Sequence, residues 1–255
     1  MRVTVCETPH AQPAADKTWA TLCSHVRDEG TDLLVLPEFA FLEPVWQNEH
    51  FDQLQWTALE QEATRWLARL PELKCAHVIG SVPITTAGKP LNQGFLWSAD
   101  KGLLLLRSKR YCPNLPGAWE ARWFTKGTDE FPVFSAGSLK FGLNICTELW
   151  ALETLGPYAR AGVHAVISPR ATTAATTERW IALAKTVAVR TGAFSLSSNR
   201  THVDGSCGGV GWIIDPEGIE LARTSASCPA VTQEIDLAAS SIAKSTYPRN
   251  VFADA

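Results

Sequence analysis

No stretch of the 255-residue sequence approaches the ~18 consecutive apolar residues of a membrane span. The opening residues, MRVTVCET, lack the long apolar core of a secretion signal and read as a strand. The expectation is a cytoplasmic protein with no membrane partner. Paired cysteines are missing too. The cysteines at 6, 23, 75, 112, 146, 207 and 228 are odd in number and show no CxxC spacing, so they read as reduced thiols. The 6 histidines show no zinc spacing such as HxxxH, so neither a metal nor a cofactor is expected. Charge of one sign is not in excess. With 23 Lys and Arg against 26 Asp and Glu, the net charge is −3, and no nucleic-acid partner is expected. Low-complexity stretches, long linkers and short repeats are absent as well. What is present is a hydrophobic content of 45%, enough for a large core without covalent staples.

Strand-like runs recur to the end of the chain: 2–7, 33–37, 77–84, 94–100, 102–109, 139–146, 165–169, 193–199, 208–215 and 231–237. Some, such as LLVLP at 33–37, are apolar throughout, which suits strands covered on both faces. Between them lie helical stripes. One is Trp19, Leu22, Cys23 and Val26; a second is Leu59, Ala63, Trp66, Leu67 and Leu70. A third, Ile181, Ala184, Ala188 and Thr191, follows a Thr-rich stretch at 172–177 that offers N-caps. Asp100-Lys101-Gly102 and Asp215-Pro216-Glu217-Gly218 read as turns. The pattern predicts an α/β fold, and so many strands favour two stacked sheets with outer helices over one open sheet.

Three strand ends carry reactive groups. The segment FGLNICTELW ends an apolar run on Cys146, with Glu148 two residues later. A thiol needs help to attack at neutral pH, and none of the histidines stands in a recognisable setting, so a carboxylate is the candidate base. Glu38 ends the strand of LLVLPEFAF, and Lys109 ends that of LLLLRSKRYCPNLPGAWE. In the Pro/Gly-rich loop after Lys109 stands Glu120, beside Trp119 and Trp123. Strand ends are common collecting points for active sites. Glu148 reads as a residue ordering the loop behind the thiol. Phe39, Phe41, Trp119 and Trp150 read either as core or as walls of an apolar pocket. Arg170, at the end of AVISPR, reads either as a loop anchor or as a partner for an anionic substrate.

These segments resemble the nitrilase superfamily of carbon–nitrogen hydrolases. Its members carry a Glu after Pro at one strand end, a Lys at another and a Cys in a G-x-x-I-C context. Here the matching residues are Pro37-Glu38, Lys109 and Gly142 to Cys146. Lys109, Pro113, Pro116-Gly117 and Glu120 are similar to the pattern of the branch that cleaves carbamoylated amines. The resemblance extends through Phe124, Gly127, Glu153, SLSSNR at 195–200, GGVGWIIDPEG at 208–218 and EIDLA at 234–238. Leu152 departs from the usual Pro, and Thr147 from the Trp usual in true nitrilases. Leu149 and Trp150 stand where D-carbamoylases have arginines.

The resemblance implies a four-layer αββα sandwich over residues 1–238, with 239–255 as a short tail, and a homodimer or higher homo-oligomer. It implies catalysis by Glu38 as base, Lys109 as oxyanion stabiliser, Cys146 as nucleophile and Glu120 as a fourth member. Thr147, through its backbone N–H, would contact substrate, and so would Trp150, Arg170, Phe39 and Trp119. The implied reaction is cofactor-free hydrolysis of a small linear amide or N-carbamoyl amine through a thioester. Nitrile hydrolysis, general acyl transfer and a catalytically silent binding relative are the alternatives.

Overall fold

The computed structural model describes residues 1–9 and 14–252. Its elements, in chain order, are β1 (Arg2–Thr8), α1 (Ala14–Asp28), β2 (Leu33–Glu38), α2 (Gln53–Ala68), β3 (His77–Thr86), β4 (Lys89–Ser98), β5 (Gly102–Ser108), α3 (Glu120–Trp123), β6 (Val133–Ala136), β7 (Leu139–Leu143), α4 (Leu155–Arg160), β8 (Ala165–Arg170), α5 (Thr177–Thr191), β9 (Phe194–Arg200), β10 (Trp212–Ile214), β11 (Glu220–Arg223), β12 (Ala230–Glu234) and α6 (Leu237–Lys244).

The strands build two sheets of the same design. In the first, β1, β2 and β3 are parallel, β4 and β5 add antiparallel beyond β3, and β12 adds antiparallel to β1. In the second, β7, β8 and β9 are parallel, β6 adds antiparallel to β7, and β10 then β11 add antiparallel beyond β9. The last residues of β1 and β9 pair as Glu7↔Asn199 and Thr8↔Arg200, which joins the sheets at one edge.

Side-chain alternation decides which face goes where. Leu33 and Val35 of β2 join Val3, Val5 and Ile79 in a core shared with Phe141, Leu143, Ile167 and Leu196 of the other sheet. Leu34 and Leu36, the alternate residues, face Trp19 and Leu22 of α1 and Trp56 and Trp66 of α2. Ile181, Ala184 and Val187 of α5 cover the second sheet. The layers therefore run helix, sheet, sheet, helix, as the resemblance implied. Both faces of LLVL are buried, which is why it carries no polar alternation.

Local signals behave as chemistry requires. Asp52 caps α2 by accepting from Leu54 N–H at 2.8 Å and Gln55 N–H at 2.9 Å. Gly192, at φ +60°, closes α5. The Thr-rich stretch does not cap α5 as expected. Thr173 caps a preceding 3-10 turn, and Thr176 makes no side-chain cap.

Other boundaries differ from the sequence reading. β4 begins at Lys89 rather than at 94, β7 stops at Leu143, short of Cys146, and β6 and β11 were not legible. Residues 239–252, expected as a tail, are held to the body through buried Ser240, Ala243 and Arg249. Ser240 Oγ donates to Gly192 O at 2.7 Å, and Lys244 Nζ to Val163 O at 2.6 Å. Arg249 is buried and donates to Ala243 O at 2.6 Å. The end of the expected tail, 253–255, lies outside the described residues. No helix among the described residues is long and apolar enough to cross a membrane.

Candidate active site

Pro37 has no N–H for the ladder, and the β2–β3 register shifts between Val35 and Glu38. Glu38 then resumes pairing opposite Ser81, with its side chain buried at the sheet end. The antiparallel pairings of β4 and β5 reverse the chain twice, so β5 ends at the same edge as β2. Lys109 follows at once. Its N–H donates to Asn92 O at 2.8 Å, and its carbonyl accepts from Gly127 N–H at 2.9 Å. The fixed backbone aims Nζ between two carboxylates, 2.8 Å from Glu38 Oε1 and 2.6 Å from Glu120 Oε2. Asn92 Nδ2 also donates to Glu38 Oε1, at 2.7 Å. Glu38 Oε2 has no hydrogen-bond partner among the described residues.

Cys146 comes from the other sheet. Beyond β7, Asn144 and Ile145 lead into a 3-10 turn, Cys146–Trp150, and Cys146 takes φ +49°. A left-handed non-glycine residue costs on the order of 1 kcal/mol and persists only when its surroundings fix it. Here Glu148 fixes it. Its carboxylate accepts from both terminal nitrogens of Arg107, from Arg110 N–H at 2.5 Å and from Ile145 N–H at 2.8 Å. Asn144 Nδ2 donates to Glu148 O at 2.9 Å, and Tyr158 Oη donates to Asn144 Oδ1 at 3.0 Å. Gly142 makes room for that tyrosine, because a Cβ there would stand 2.4 Å from its ring.

The Arg107–Glu148 pair is wholly buried, so breaking it by removing one partner should be costly. Glu148→Ala is expected to destabilise the fold by about 3–5 kcal/mol, read from urea denaturation. The double change Arg107→Met with Glu148→Leu should cost distinctly less, since no lone charge remains buried. Equal losses in the two variants would mean that packing rather than charge dominates.

The electrostatics of the cluster follow from burial and proximity. Burial alone would lower the Lys109 ammonium, but Glu120 and Glu38 outweigh it and hold Lys109 well above its usual range. Burial pushes the Glu120 carboxyl up, Lys109 pulls it back and Glu38 raises it again, leaving it at about 7. Burial and the Glu38 charge raise the Cys146 thiol far above the ordinary value, partly offset by Lys109. The thiol therefore rests protonated, with the Ala171 backbone N–H also facing the sulfur.

Cys146 opens onto a cleft of about 530 Å³, lined at its base by Glu120 and Thr147. Trp46, Trp150 and Trp180 wall it, the last two edge to face at 5.5 Å. Of the expected substrate contacts, Thr147 and Trp150 line this cleft. Phe39, Phe41, Trp119 and Arg170 do not. Phe39, at φ +48°, turns back under the helices and packs on Trp46 and Phe124 at 5.3 and 5.5 Å. Phe41 stacks on Trp66 at 4.6 Å. The Trp119 ring packs on the helix-side core, although its neighbours Ala118 and Glu120 line the cleft.

Arg170 is buried and already satisfied. Nε donates to Ser197 Oγ at 2.7 Å, Nη1 to Thr172 Oγ1 at 2.7 Å and Nη2 to Val210 O at 2.5 Å, with the guanidinium 3.8 Å over Trp212. It anchors the loop after β8. Sequence reasoning missed Asn92, Arg107, Trp46 and Trp180. A polar Asn in β4 and an Arg closing the apolar run of β5 were the available signals for the first two.

Two stacked mixed sheets bring a carboxylate, an ammonium and a thiol together at one end of the sandwich. The chain belongs to the carbon-nitrogen hydrolase family, whose profile matches residues 2–243. No match was found among curated proteins. The fold is similar to the carbon-nitrogen hydrolase from Helicobacter pylori G27, with a TM-score of 0.85 and 20% identity over 98% of this chain and 94% of that one. A CN-hydrolase superfamily protein from Xanthomonas campestris, with an arsenic adduct in its active site, superimposes with a TM-score of 0.81 and 16% identity, covering 100% and 97%. An amidase from Nesterenkonia sp. gives 0.78 and 17%, covering 92% and 90%. At these identities the structural likeness is one of fold.

Proposed function

We propose that the protein hydrolyses a small linear amide or N-carbamoyl amine through a thioester on Cys146. The observation that carries this reading is the buried Glu38–Lys109–Glu120 cluster beside a protonated thiol at the base of a cleft. Glu38, with Oε2 unengaged, takes the thiol proton as sulfur attacks the carbonyl carbon. The developing oxyanion is met by the Lys109 ammonium and the Thr147 N–H, at the start of a helical turn where N–H groups have no partner within the turn. Collapse breaks the C–N bond, and Glu38 returns its proton to the departing ammonia or amine. Glu38 then takes a proton from water as its oxygen adds to the thioester, and the thiol leaves protonated. Glu120 keeps Lys109 charged throughout.

A panel of short amides, N-carbamoyl amines, ω-amides and nitriles, scored for ammonia release, tests the reading. Release from amides or carbamoyl amines supports it. Release from nitriles alone, or from nothing, overturns it.

Glu120 predicts a pH dependence. Below about 7 its carboxyl is neutral, and Lys109 loses one of the two charges that hold its ammonium in place for the oxyanion. kcat/KM is therefore expected to rise with pH through about 7. Glu120→Gln should erase that limb and lower the plateau by about 10-fold or more. The same shift has a stability sign. The folded value lies above the ordinary 4.5, so proton binding stabilises the fold. This contribution is full below about pH 4.5 and is lost as the pH rises through about 7.

A further inference from the structure

We propose that β5 pairs with β5 of a second copy of this chain, antiparallel about a two-fold axis at Leu104, so that one continuous sheet runs through both copies. β5 stands at the edge of its sheet and pairs with β4 alone. Leu103, Leu104 and Leu105 are 44%, 57% and 41% exposed, and no charged side chain lies between Gly102 and Leu106. The other edges are guarded in the usual ways, by charge or by shortness. β11 carries Glu220 and Arg223, β12 ends in Gln233 and Glu234, and β6 spans 4 residues. The irregularity in the β4–β5 register lies past Leu105, so residues 102–105 form a regular free edge.

The backbone fixes which groups are free. In an antiparallel ladder, successive residues turn their N–H and C=O to opposite sides. Ala99 N–H donates to Ala76 O at 3.0 Å, which aims the odd-numbered residues of β4 at β3 and the even-numbered ones at β5. Leu96 therefore exchanges bonds with Leu104, and Ser98 with Gly102. Leu103 and Leu105 turn theirs outward, where no group among the described residues meets them. An added strand would satisfy them.

The second strand is another β5 because this edge is its own complement. Leu103 of one copy would exchange both bonds with Leu105 of the other, and Leu104 would face Leu104 across the axis. The central side-chain contacts are then leucine on leucine. Charge is complementary at the strand ends. Antiparallel pairing lays exposed Lys101 beside the far end of the other β5, where Glu148 already neutralises Arg107. There Arg107 Nε donates to the carbonyl of exposed Glu130 at 3.3 Å, and neither Lys101 nor Glu130 has an ion pair among the described residues. Each chain has one β5, so the contact closes at two copies. A strand pair is smaller than a standard interface of about 800 Å² per partner, so a reversible dimer with a Kd on the order of 10 µM is expected.

Sedimentation velocity across that Kd should show the 27.8 kDa chain giving way to a species of twice its mass. Leu104→Lys sets two ammonium groups face to face on the axis and should weaken association by at least about 100-fold, with the circular dichroism of the monomer unchanged. Hydrogen exchange reads the register. In the native dimer the Leu103 and Leu105 amides should be protected, and in Leu104→Lys they should exchange freely. The Leu104 amide, bonded to β4, should be protected in both. Leu104→Cys in a Cys228→Ser background should give a disulfide-linked dimer with copper-phenanthroline, and Leu103→Cys should not. A monomer at every concentration, a dimer untouched by Leu104→Lys, or unprotected Leu103 and Leu105 amides within the dimer overturns the proposal. Ammonia release enters none of these measurements, so the amidase reading stands or falls separately.

Discussion

Cys146→Ala should release ammonia from no amide that the native protein cleaves, a loss of at least about 10⁴-fold in kcat. Removing a covalent nucleophile leaves only binding and oxyanion stabilisation. The fold should survive, because a methyl group replaces a thiol in a wall already packed with Ile145 and Leu149. Cys228→Ser is the matched control, since that thiol is exposed. Intact-mass analysis of substrate-soaked native protein, quenched in acid, should show an acyl adduct that hydroxylamine removes as a hydroxamate. Residual activity above about 1% in Cys146→Ala, or an adduct on another cysteine, would sink the thioester mechanism.

Lys109→Ala has the next largest effect, and it acts twice. The ammonium holds Glu38 and Glu120 apart electrostatically, and all three groups are buried. Without it two carboxylates face each other in a dry site, so destabilisation of about 3–5 kcal/mol is expected in urea denaturation. Activity should fall by about 10²–10³-fold on top of that, from loss of the oxyanion donor. The triple change Glu38→Gln, Lys109→Met and Glu120→Gln separates the two roles. It removes every buried charge of the cluster and should regain most of the stability while staying inactive. If Lys109→Ala is as stable as the native protein, the cluster is not held by charge in the way described.

What was readable in the sequence was whatever depends on runs and order. Apolar stretches marked the central strands, and the spacing of Trp19, Leu22 and Val26 marked α1. The short edge strand β11 (ELAR) escaped because it is half exposed and has no apolar run. Pro37-Glu38, Lys109 and Cys146 stood out because a reactive group ended each strand-like run. Side-chain direction was not readable. Phe39 follows Glu38 directly, yet its ring joins the helix-side core against Trp46 and Phe124. Arg170 ends a strand as Glu38 does, but acceptors on β9 and before β10 capture its guanidinium. Those acceptors lie 27 and 40 residues away, beyond the reach of any local pattern. Asn92 is not legible because the apolar run begins only at Gly94, which leaves the residue that steadies Glu38 outside the predicted strand.

The acid and the ammonium belong to one sheet and the sulfur to the other. The alignment of the three groups therefore depends on two slabs that touch through interlocked aliphatic side chains, pair at one margin through Glu7 and Thr8, and are tied across by Arg107 and Glu148. A slip of one slab by a single tooth of that interlock would part the Cys146 thiol from Glu38 and Lys109. Under the proposed mechanism, turnover therefore reports on sheet-to-sheet alignment.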